Sequence, residues 1–118
     1  MKKLLIVLII LLAACQTGPP SGHYDELAQC LTDKGITMYG TFWCPHCAKI
    51  KKSFGDSFQH MNYVECDPRG ENPQTDRCME LYIEKYATFI NAEGERRCCE
   101  PKPEELAEWA GCEVPDAY

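Results

Sequence analysis

Apolar residues recur along the chain with two spacings, and each spacing predicts one kind of element. Tyr24, Leu27 and Leu31 share one helical stripe, which ends before Gly35. Residues 36–43 are rich in β-branched and aromatic side chains, which is typical of a strand. The same criteria predict helices at 24–34, 45–59, 76–86 and 103–110, and strands at 36–43, 61–66, 88–91 and 95–99.

The order of these elements predicts the fold. After the first helix the chain reads β-α-β-α-β-β-α, which is the minimal thioredoxin-like arrangement. The β-α-β opening requires a right-handed crossover between two parallel strands, and the turn at 92–94 closes a hairpin. We therefore predict an α/β protein with a thioredoxin-like fold, an extra N-terminal helix and a four-stranded mixed sheet.

The N-terminus has the pattern of a secretion signal. Lys2 and Lys3 precede an apolar run, Leu4–Leu12, which is too short to span a bilayer. The run ends in Leu-Ala-Ala followed by Cys15, which resembles the lipobox of bacterial lipoproteins. That resemblance implies cleavage before Cys15 and acylation of its sulfur. A simple signal peptide with a chance cysteine is the alternative.

This interpretation divides the chain into three regions. They are a signal peptide at 1–14, a lipidated N-terminus and flexible tether at 15–22, and the thioredoxin-like domain at 23–118. We expect an extracytoplasmic protein that a lipid anchor holds at the membrane. Because Gln16 follows the cysteine, this would be the periplasmic face of the outer membrane in a cell with two membranes.

Composition narrows the class of protein. The chain has 118 residues, which fits one domain, and a formal net charge of −6. We expect no nucleic-acid partner, because an acidic chain lacks the basic face that meets phosphates. Nine cysteines are too many for a reduced cytosolic protein without a redox or metal role. If Cys15 carries lipid, an even number of cysteines remains.

The candidate chemistry lies where a predicted strand meets a predicted helix, at Cys44-Pro45-His46-Cys47. A helix N-terminus stabilises a thiolate, the nucleophile of disulfide exchange, and Pro45 suits a first helical turn. The spacing lets the second sulfur release a mixed disulfide. We expect an exposed Cys44 that attacks and a buried Cys47 that resolves. His46 would add positive charge near the Cys44 sulfur, and we predict no cofactor.

The same motif occurs in the strong periplasmic oxidant DsbA, so it favours an oxidising role. Half of a zinc site and a structural disulfide are the alternatives. Zinc would need two further ligands, and the chain has no second C-x-x-C motif and no H-x-x-x-H motif. We therefore predict no metal site.

The sequence around this motif resembles a known family. The runs YGTFWCPHCAKIKKSFGDSF and NYVECDP, followed by Cys78, are similar to the thioredoxin-like domain fused to bacterial and plant homologues of vitamin K epoxide reductase. The resemblance covers about residues 24–112. It implies disulfide exchange with secreted or envelope proteins that carry thiols or disulfides. It also implies a membrane redox partner of the vitamin K epoxide reductase or DsbB/DsbD type.

One departure from that family lies in the expected substrate groove. Where the family has a cis-proline between tyrosine and threonine, this chain has Tyr86-Ala87-Thr88. A cis bond before a non-proline residue costs about 2.5–4 kcal/mol, so we expect a trans Tyr86–Ala87 bond unless its surroundings hold it tightly. These three residues and Trp43 would form the groove, although a packing role accounts for Trp43 equally well.

A second departure concerns proton transfer. Many thioredoxins carry a buried acid six residues before the first cysteine, where it accepts the proton of the resolving thiol. This chain has Met38 at that position. Proton transfer from Cys47 would therefore need water or another base.

The other cysteines of the domain are expected to form disulfides. Cys66 and Cys78 match a cysteine pair of the family, so the resemblance implies a disulfide between them, with a regulatory or electron-relay role as the alternative. The remaining four allow three pairings: they are Cys30, Cys98, Cys99 and Cys112. Adjacent cysteines bond with strain, and strand alternation sends Cys98 and Cys99 to opposite faces. We expect one of them to pair with Cys30 and the other with Cys112.

The sequence thus predicts a membrane-anchored, extracytoplasmic thiol–disulfide oxidoreductase that acts on protein disulfides. Its direction stays open, with an inclination toward oxidase or isomerase activity. A copper- or zinc-binding thiol lipoprotein and a catalytically weak thioredoxin-like interaction module are the alternatives.

Overall fold

The structure is a computed structural model that describes residues 18–118. The elements are, in chain order, α1 (Asp25–Asp33), β1 (Thr37–Gly40), α2 (Pro45–Phe54), a 3₁₀ helix (Gly55–His60), β2 (Asn62–Glu65), α3 (Thr75–Glu80), β3 (Thr88–Ile90), β4 (Arg96–Cys98) and α4 (Pro103–Ala110).

Strand β1 lies inside a mixed sheet of four strands in the order β2-β1-β3-β4. It pairs in parallel with β2 and antiparallel with β3, and β4 is antiparallel to β3. In the parallel pair, Thr37 is opposite Asn62 and Gly40 is opposite Glu65. The predicted α/β class and thioredoxin-like fold are confirmed.

Two helices differ in length from the sequence prediction. Helix α2 ends at Phe54, because Gly55 adopts a positive φ of 62° and the chain continues as the 3₁₀ helix. Helix α3 ends at Glu80, and Tyr82 has a positive φ of 53°. A left-handed residue interrupts the regular helical path, so the predicted helix at 76–86 is too long.

The core fills both sides of the sheet. Met38 belongs to the larger apolar cluster, to which α1, α2 and α4 contribute Leu27, Leu31, Ile50, Phe54 and Leu106. The next residue, Tyr39, belongs to a second cluster with Val64 and the cysteines Cys66 and Cys78. Successive strand residues point to opposite faces, so β1 is covered on both sides and all four of its residues are buried.

The residues just before α1 pack against the domain. The Ser21 hydroxyl and the Gly22 backbone N–H both donate to the Asp56 carboxylate, the second at 3.0 Å. Both residues belong to the segment predicted as a tether, so contact with the domain begins inside that segment. Cys15 lies outside the described residues. Within residues 18–118, no helix combines the length and the apolar character that crossing a membrane requires.

Three disulfides are present among the described residues. Cys66 bonds to Cys78, Cys30 to Cys112, and Cys98 to its neighbour Cys99. The expectation that Cys98 and Cys99 would pair with Cys30 and Cys112 is therefore wrong. Its premise of strand alternation fails because β4 ends at Cys98. Cys30 and Cys112 meet because α1 packs against α4, and Cys112 follows Gly111, the C-cap of α4.

We expect the two long-range disulfides to differ in their contribution to stability. The Cys30–Cys112 bond joins residues 82 positions apart, and the Cys66–Cys78 bond joins residues 12 apart. Chain-entropy scaling gives about 4.5 kcal/mol for the longer loop and about 3 kcal/mol for the shorter one. Urea unfolding of the two double-alanine variants measures both losses. A larger loss for Cys66→Ala/Cys78→Ala would contradict the scaling.

Candidate active site

The two cysteines of the C-x-x-C motif meet at the start of α2. Cys44 is the N-cap residue and its carbonyl accepts the Ala48 N–H at 3.1 Å. Pro45 follows as the first helical residue, where its missing N–H costs nothing. Cys44 and Cys47 both carry free thiols. The Cys44 sulfur thus lies at the helix end whose unpaired N–H groups favour negative charge.

Cys44 is buried, which corrects the expectation of an exposed nucleophile. Only 5% of its surface is accessible. Its Sγ donates a hydrogen bond to the carbonyl oxygen of Tyr86 at 3.7 Å. The loop before β3 therefore covers the sulfur, and a substrate must displace this contact to reach it.

Cys47 lies deeper, against the end of β1. It is 1% exposed. A Cβ atom at Gly40 would come within 2.5 Å of its Sγ, so the approach of α2 to β1 requires glycine at this position. Burial and the neighbouring Cys44 raise the pKa of the Cys47 thiol to about 11, although Thr41 and Lys51 act in the opposite direction. Cys47 therefore needs a base in order to act as a nucleophile.

A buried carboxylate lies on the neighbouring strand. Glu65 is 4% exposed and is the register partner of Gly40. Register partners point to the same face of a sheet, so Glu65 shares the face against which Cys47 packs. Its Oε1 accepts the Tyr63 hydroxyl at 3.1 Å, and its Oε2 accepts the Asp67 N–H at 3.0 Å. Burial and this carboxylate both raise the pKa of Tyr63.

Sequence reasoning missed Glu65. It searched for the acid at position 38, and Met38 is indeed an apolar residue of the core. The acid lies instead on β2, and only the register of the parallel pair places it on the same face of the sheet as Cys47. The sequence carried one signal for it. Glu65 is a charged residue two positions after Tyr63 in a predicted strand, so both side chains point to the same face of the sheet.

Trp43 forms one rim of the site. Its indole N–H donates to Asp67 Oδ2 at 2.6 Å, and its ring meets the Tyr86 ring edge-on, with centroids 6.0 Å apart. Arg69 donates to both oxygens of the same carboxylate, at 2.8 and 3.0 Å. These donors hold the pKa of Asp67 well below its usual value near 3.8. Trp43 is thus anchored while 52% of its surface stays exposed.

His46 lies on the outer side of the motif. Its Nδ1 is 3.5 Å from Glu100 Oε1, and Lys49 Nζ is 3.6 Å from the same oxygen. The ion-pair partner of His46 is thus Glu100, in the segment after β4.

The Tyr86–Ala87 peptide bond is cis, so the expectation of a trans bond is wrong. Contacts on both sides hold this segment in place. The Tyr86 carbonyl accepts the Cys44 thiol, and the Ala87 N–H donates to the Cys99 carbonyl at 3.2 Å. Ala87 is fully buried, and the Thr88 hydroxyl donates to the Lys85 carbonyl at 2.6 Å.

The structure describes the side chains of residues 18–118. In that part of the chain, no group of three or more histidine, cysteine, aspartate or glutamate side chains is arranged to hold a metal ion.

The chain was compared with known proteins. No protein-family model matches it. It is similar to a protein of Arabidopsis thaliana named thiol-disulfide oxidoreductase LTO1, with 39% identity over 74 residues. The match covers 59% of this chain and 20% of that protein, so the chain spans about a fifth of the length of this relative. The similarity supports a general thiol redox role for the domain.

We expect Asp67 to stabilise the fold in a pH-dependent way. Its pKa is lower in the folded than in the unfolded chain, so its stabilisation is complete above the usual value near 3.8 and is lost as pH falls below it. Asp67→Asn should therefore lower Tm at neutral pH, and the difference from the wild type should shrink below about pH 4. Thermal unfolding across pH measures this difference. Asp33→Asn, at an exposed helix position, is the control, and an undiminished difference at acidic pH would contradict the assignment.

Proposed function

We propose that this chain is an extracytoplasmic thiol–disulfide oxidoreductase that acts on protein disulfides. The observation that carries the proposal is the pair of free thiols at the N-terminus of α2, one at the helix cap and one buried beneath it. The similarity to the named plant oxidoreductase supports the same chemistry. The resemblance of the motif to that of a strong oxidant favours oxidase or isomerase activity.

The reaction uses Cys44 first and Cys47 second. The Cys44 thiolate attacks one sulfur of a substrate disulfide, forms a mixed disulfide and releases the other sulfur as a thiolate. The Cys47 thiolate then attacks Cys44 Sγ and releases the second substrate thiol. The substrate gains two electrons and two protons, and Cys44 and Cys47 become a disulfide. The same steps in reverse oxidise a substrate dithiol.

Substrate recognition uses the surface around the buried nucleophile. Phe42 and Trp43 are each more than half exposed, with accessible fractions of 53% and 52%. Exposed aromatic side chains suit the apolar segments that an unfolded polypeptide presents. The Tyr86 carbonyl now accepts the Cys44 thiol, and a substrate N–H would take this acceptor when the sulfur moves to attack.

Glu65 is the base for the second step in this proposal. The Cys47 thiol must lose its proton in a buried site, where its pKa is about 11. The Tyr63 hydroxyl connects to Glu65 by a hydrogen bond of 3.1 Å. Lys51 Nζ lies 4.3 Å from the centroid of the Tyr63 ring and brings positive charge to this corner of the site. The Glu65 carboxylate thereby accepts the proton of Cys47, as the buried acid of many thioredoxins does from the position that Met38 occupies here.

Anchoring and electron supply complete the proposal. The lipobox resemblance at Cys15 supports attachment to the membrane by acyl chains. A membrane redox protein of the vitamin K epoxide reductase or DsbB/DsbD type would then re-oxidise or reduce the pair at the membrane surface. Secreted and envelope proteins with thiols or disulfides would be the substrates.

We expect the two cysteine variants to fail in different ways. Cys47→Ser should accumulate a mixed disulfide between Cys44 and a substrate, because the sulfur that releases it is missing. Cys44→Ser should form no such adduct, because the nucleophile is missing. Incubation with a reduced unfolded protein and with an oxidised model substrate, followed by non-reducing electrophoresis, shows both results. Equal trapping by the two variants, or none by either, would overturn the proposal.

We expect Glu65→Gln to slow only the second step. Capture of substrate by Cys44 should be unchanged, while release by Cys47 should slow about a hundredfold, the lower end of what a positioned base contributes. The pH dependence of release should also move upward, because hydroxide must then remove the proton. Rapid-quench kinetics separate the two steps. Tyr63→Phe should behave like Glu65→Gln. The control variant Glu108→Gln, at an exposed position of α4, should release substrate like the wild type.

A wild-type rate of release in Glu65→Gln across the pH range would remove Glu65 from the mechanism. That result would leave the roles of Cys44 and Cys47 intact, because those roles depend on the trapping experiment.

A further inference from the structure

The Cys98–Cys99 disulfide lies beside the Cys44–Cys47 pair. Tyr86 and Ala87 form the connection between them: the Tyr86 carbonyl accepts the Cys44 thiol, and the Ala87 N–H donates to the Cys99 carbonyl. One residue further along, Glu100 contacts His46. The segment that contains the disulfide therefore runs past the start of α2.

This disulfide is the most accessible of the three in residues 18–118. Strand β4 is at the edge of the sheet, and all three of its residues are exposed, including Cys98. Cys99 is half-buried. By contrast, Cys66 and Cys78 are 4% and 5% exposed. Cys30 and Cys112 are both half-buried, so Cys98 is the one exposed cysteine among the three disulfides of residues 18–118. Exposure favours attack by a thiolate.

Cross-linking does not account for this bond. It joins neighbours in the sequence, whereas the other two disulfides join residues 82 and 12 positions apart. The stabilisation that a disulfide gives by restricting the unfolded chain grows with the length of the loop it closes. A bond between adjacent residues closes almost no loop, so its presence calls for another role.

The surroundings of Cys98 favour a leaving thiolate. Cys98 lines a surface cavity of about 280 Å³ together with Tyr82, Glu84, Lys85, Thr88 and Arg96. The charged residues of this cavity are Lys85, Arg96 and Glu84, so their formal sum is +1. Positive charge beside a cysteine stabilises its thiolate. The sulfur that leaves would therefore be that of Cys98.

We propose that Cys98–Cys99 is a second redox-active disulfide, which exchanges electrons with Cys44 and Cys47 inside the same chain. The Cys44 thiolate attacks Cys99 Sγ, forms a Cys44–Cys99 bond and releases Cys98 as a thiolate. The Cys47 thiolate then attacks Cys44 Sγ and releases Cys99. Two electrons pass from the first pair to the second, and the two thiol protons follow through solvent. The step is reversible, so the second pair stores oxidising or reducing equivalents for the first.

This proposal rests on the proposed function, and a redox titration of the wild-type chain tests it directly. The purified full chain is equilibrated in glutathione buffers of varied ratio, quenched with acid, alkylated and mapped by mass spectrometry. We expect Cys44, Cys47, Cys98 and Cys99 to change state over one range of ratios, while the other two disulfides stay oxidised. A Cys98–Cys99 bond that stays oxidised wherever Cys44 and Cys47 titrate would overturn the proposal.

A cross-linking experiment tests whether the sulfurs of the two pairs can reach each other. In Cys47→Ser/Cys98→Ser, mild oxidation should join Cys44 to Cys99, because each has lost its own partner. The matched Cys47→Ser/Cys99→Ser variant should give a lower yield of the corresponding bond to Cys98. Circular dichroism identifies variants that fold. Absence of the Cys44–Cys99 bond in a folded variant contradicts the proposal.

The two proposals fail in distinguishable ways. If Cys47→Ser traps substrate but Cys98 and Cys99 never titrate, the function holds and the internal exchange is wrong. If the Cys44–Cys99 bond forms and both pairs titrate but no substrate is trapped, the internal exchange holds and the proposed function is wrong.

Discussion

The approach of the Cys47 sulfur to Gly40 is the constraint on which the site depends. Because glycine leaves room at the end of β1, α2 settles close enough to bury Cys47 and to hold Cys44 at the helix cap. One thiol then lies where helix N–H groups favour its anion, and the other lies where burial disfavours it. In the proposed function, this asymmetry makes Cys44 the nucleophile and Cys47 the resolving group.

The pairing of β1 with β2 also positions the buried Glu65 carboxylate. The register that places Gly40 opposite Glu65 brings a carboxylate to the face where Cys47 is buried. On the other side of the motif, the Tyr86–Ala87 segment contacts Cys44 and also Cys99. The two thiols therefore lie between a buried acid and a second disulfide. The pairing of β1 with β2 positions the acid, and the pairing of β3 with β4 positions the disulfide.

The sequence was sufficient for the parts of the structure that local patterns determine. The order of elements, the mixed sheet and the start of a helix at Pro45 follow from periodicity and from proline chemistry. The parts it did not predict depend on tertiary contacts. The burial of Cys44 depends on the loop at Tyr86, and the Cys30–Cys112 pairing depends on the packing of α1 against α4. The cis bond before Ala87 is a third example, because the preference of non-proline residues for trans peptide bonds predicts the opposite.

The central claim is that Cys44 and Cys47, although both buried, have different chemical roles. The most direct test is the order in which the two thiols of the reduced protein react with iodoacetamide at neutral pH, followed by mass spectrometry of the modified peptides. We expect iodoacetamide to modify Cys44 first. Cys47 should stay unmodified until the pH approaches its pKa of about 11. Modification of Cys47 first, or of both thiols at one rate, would contradict it.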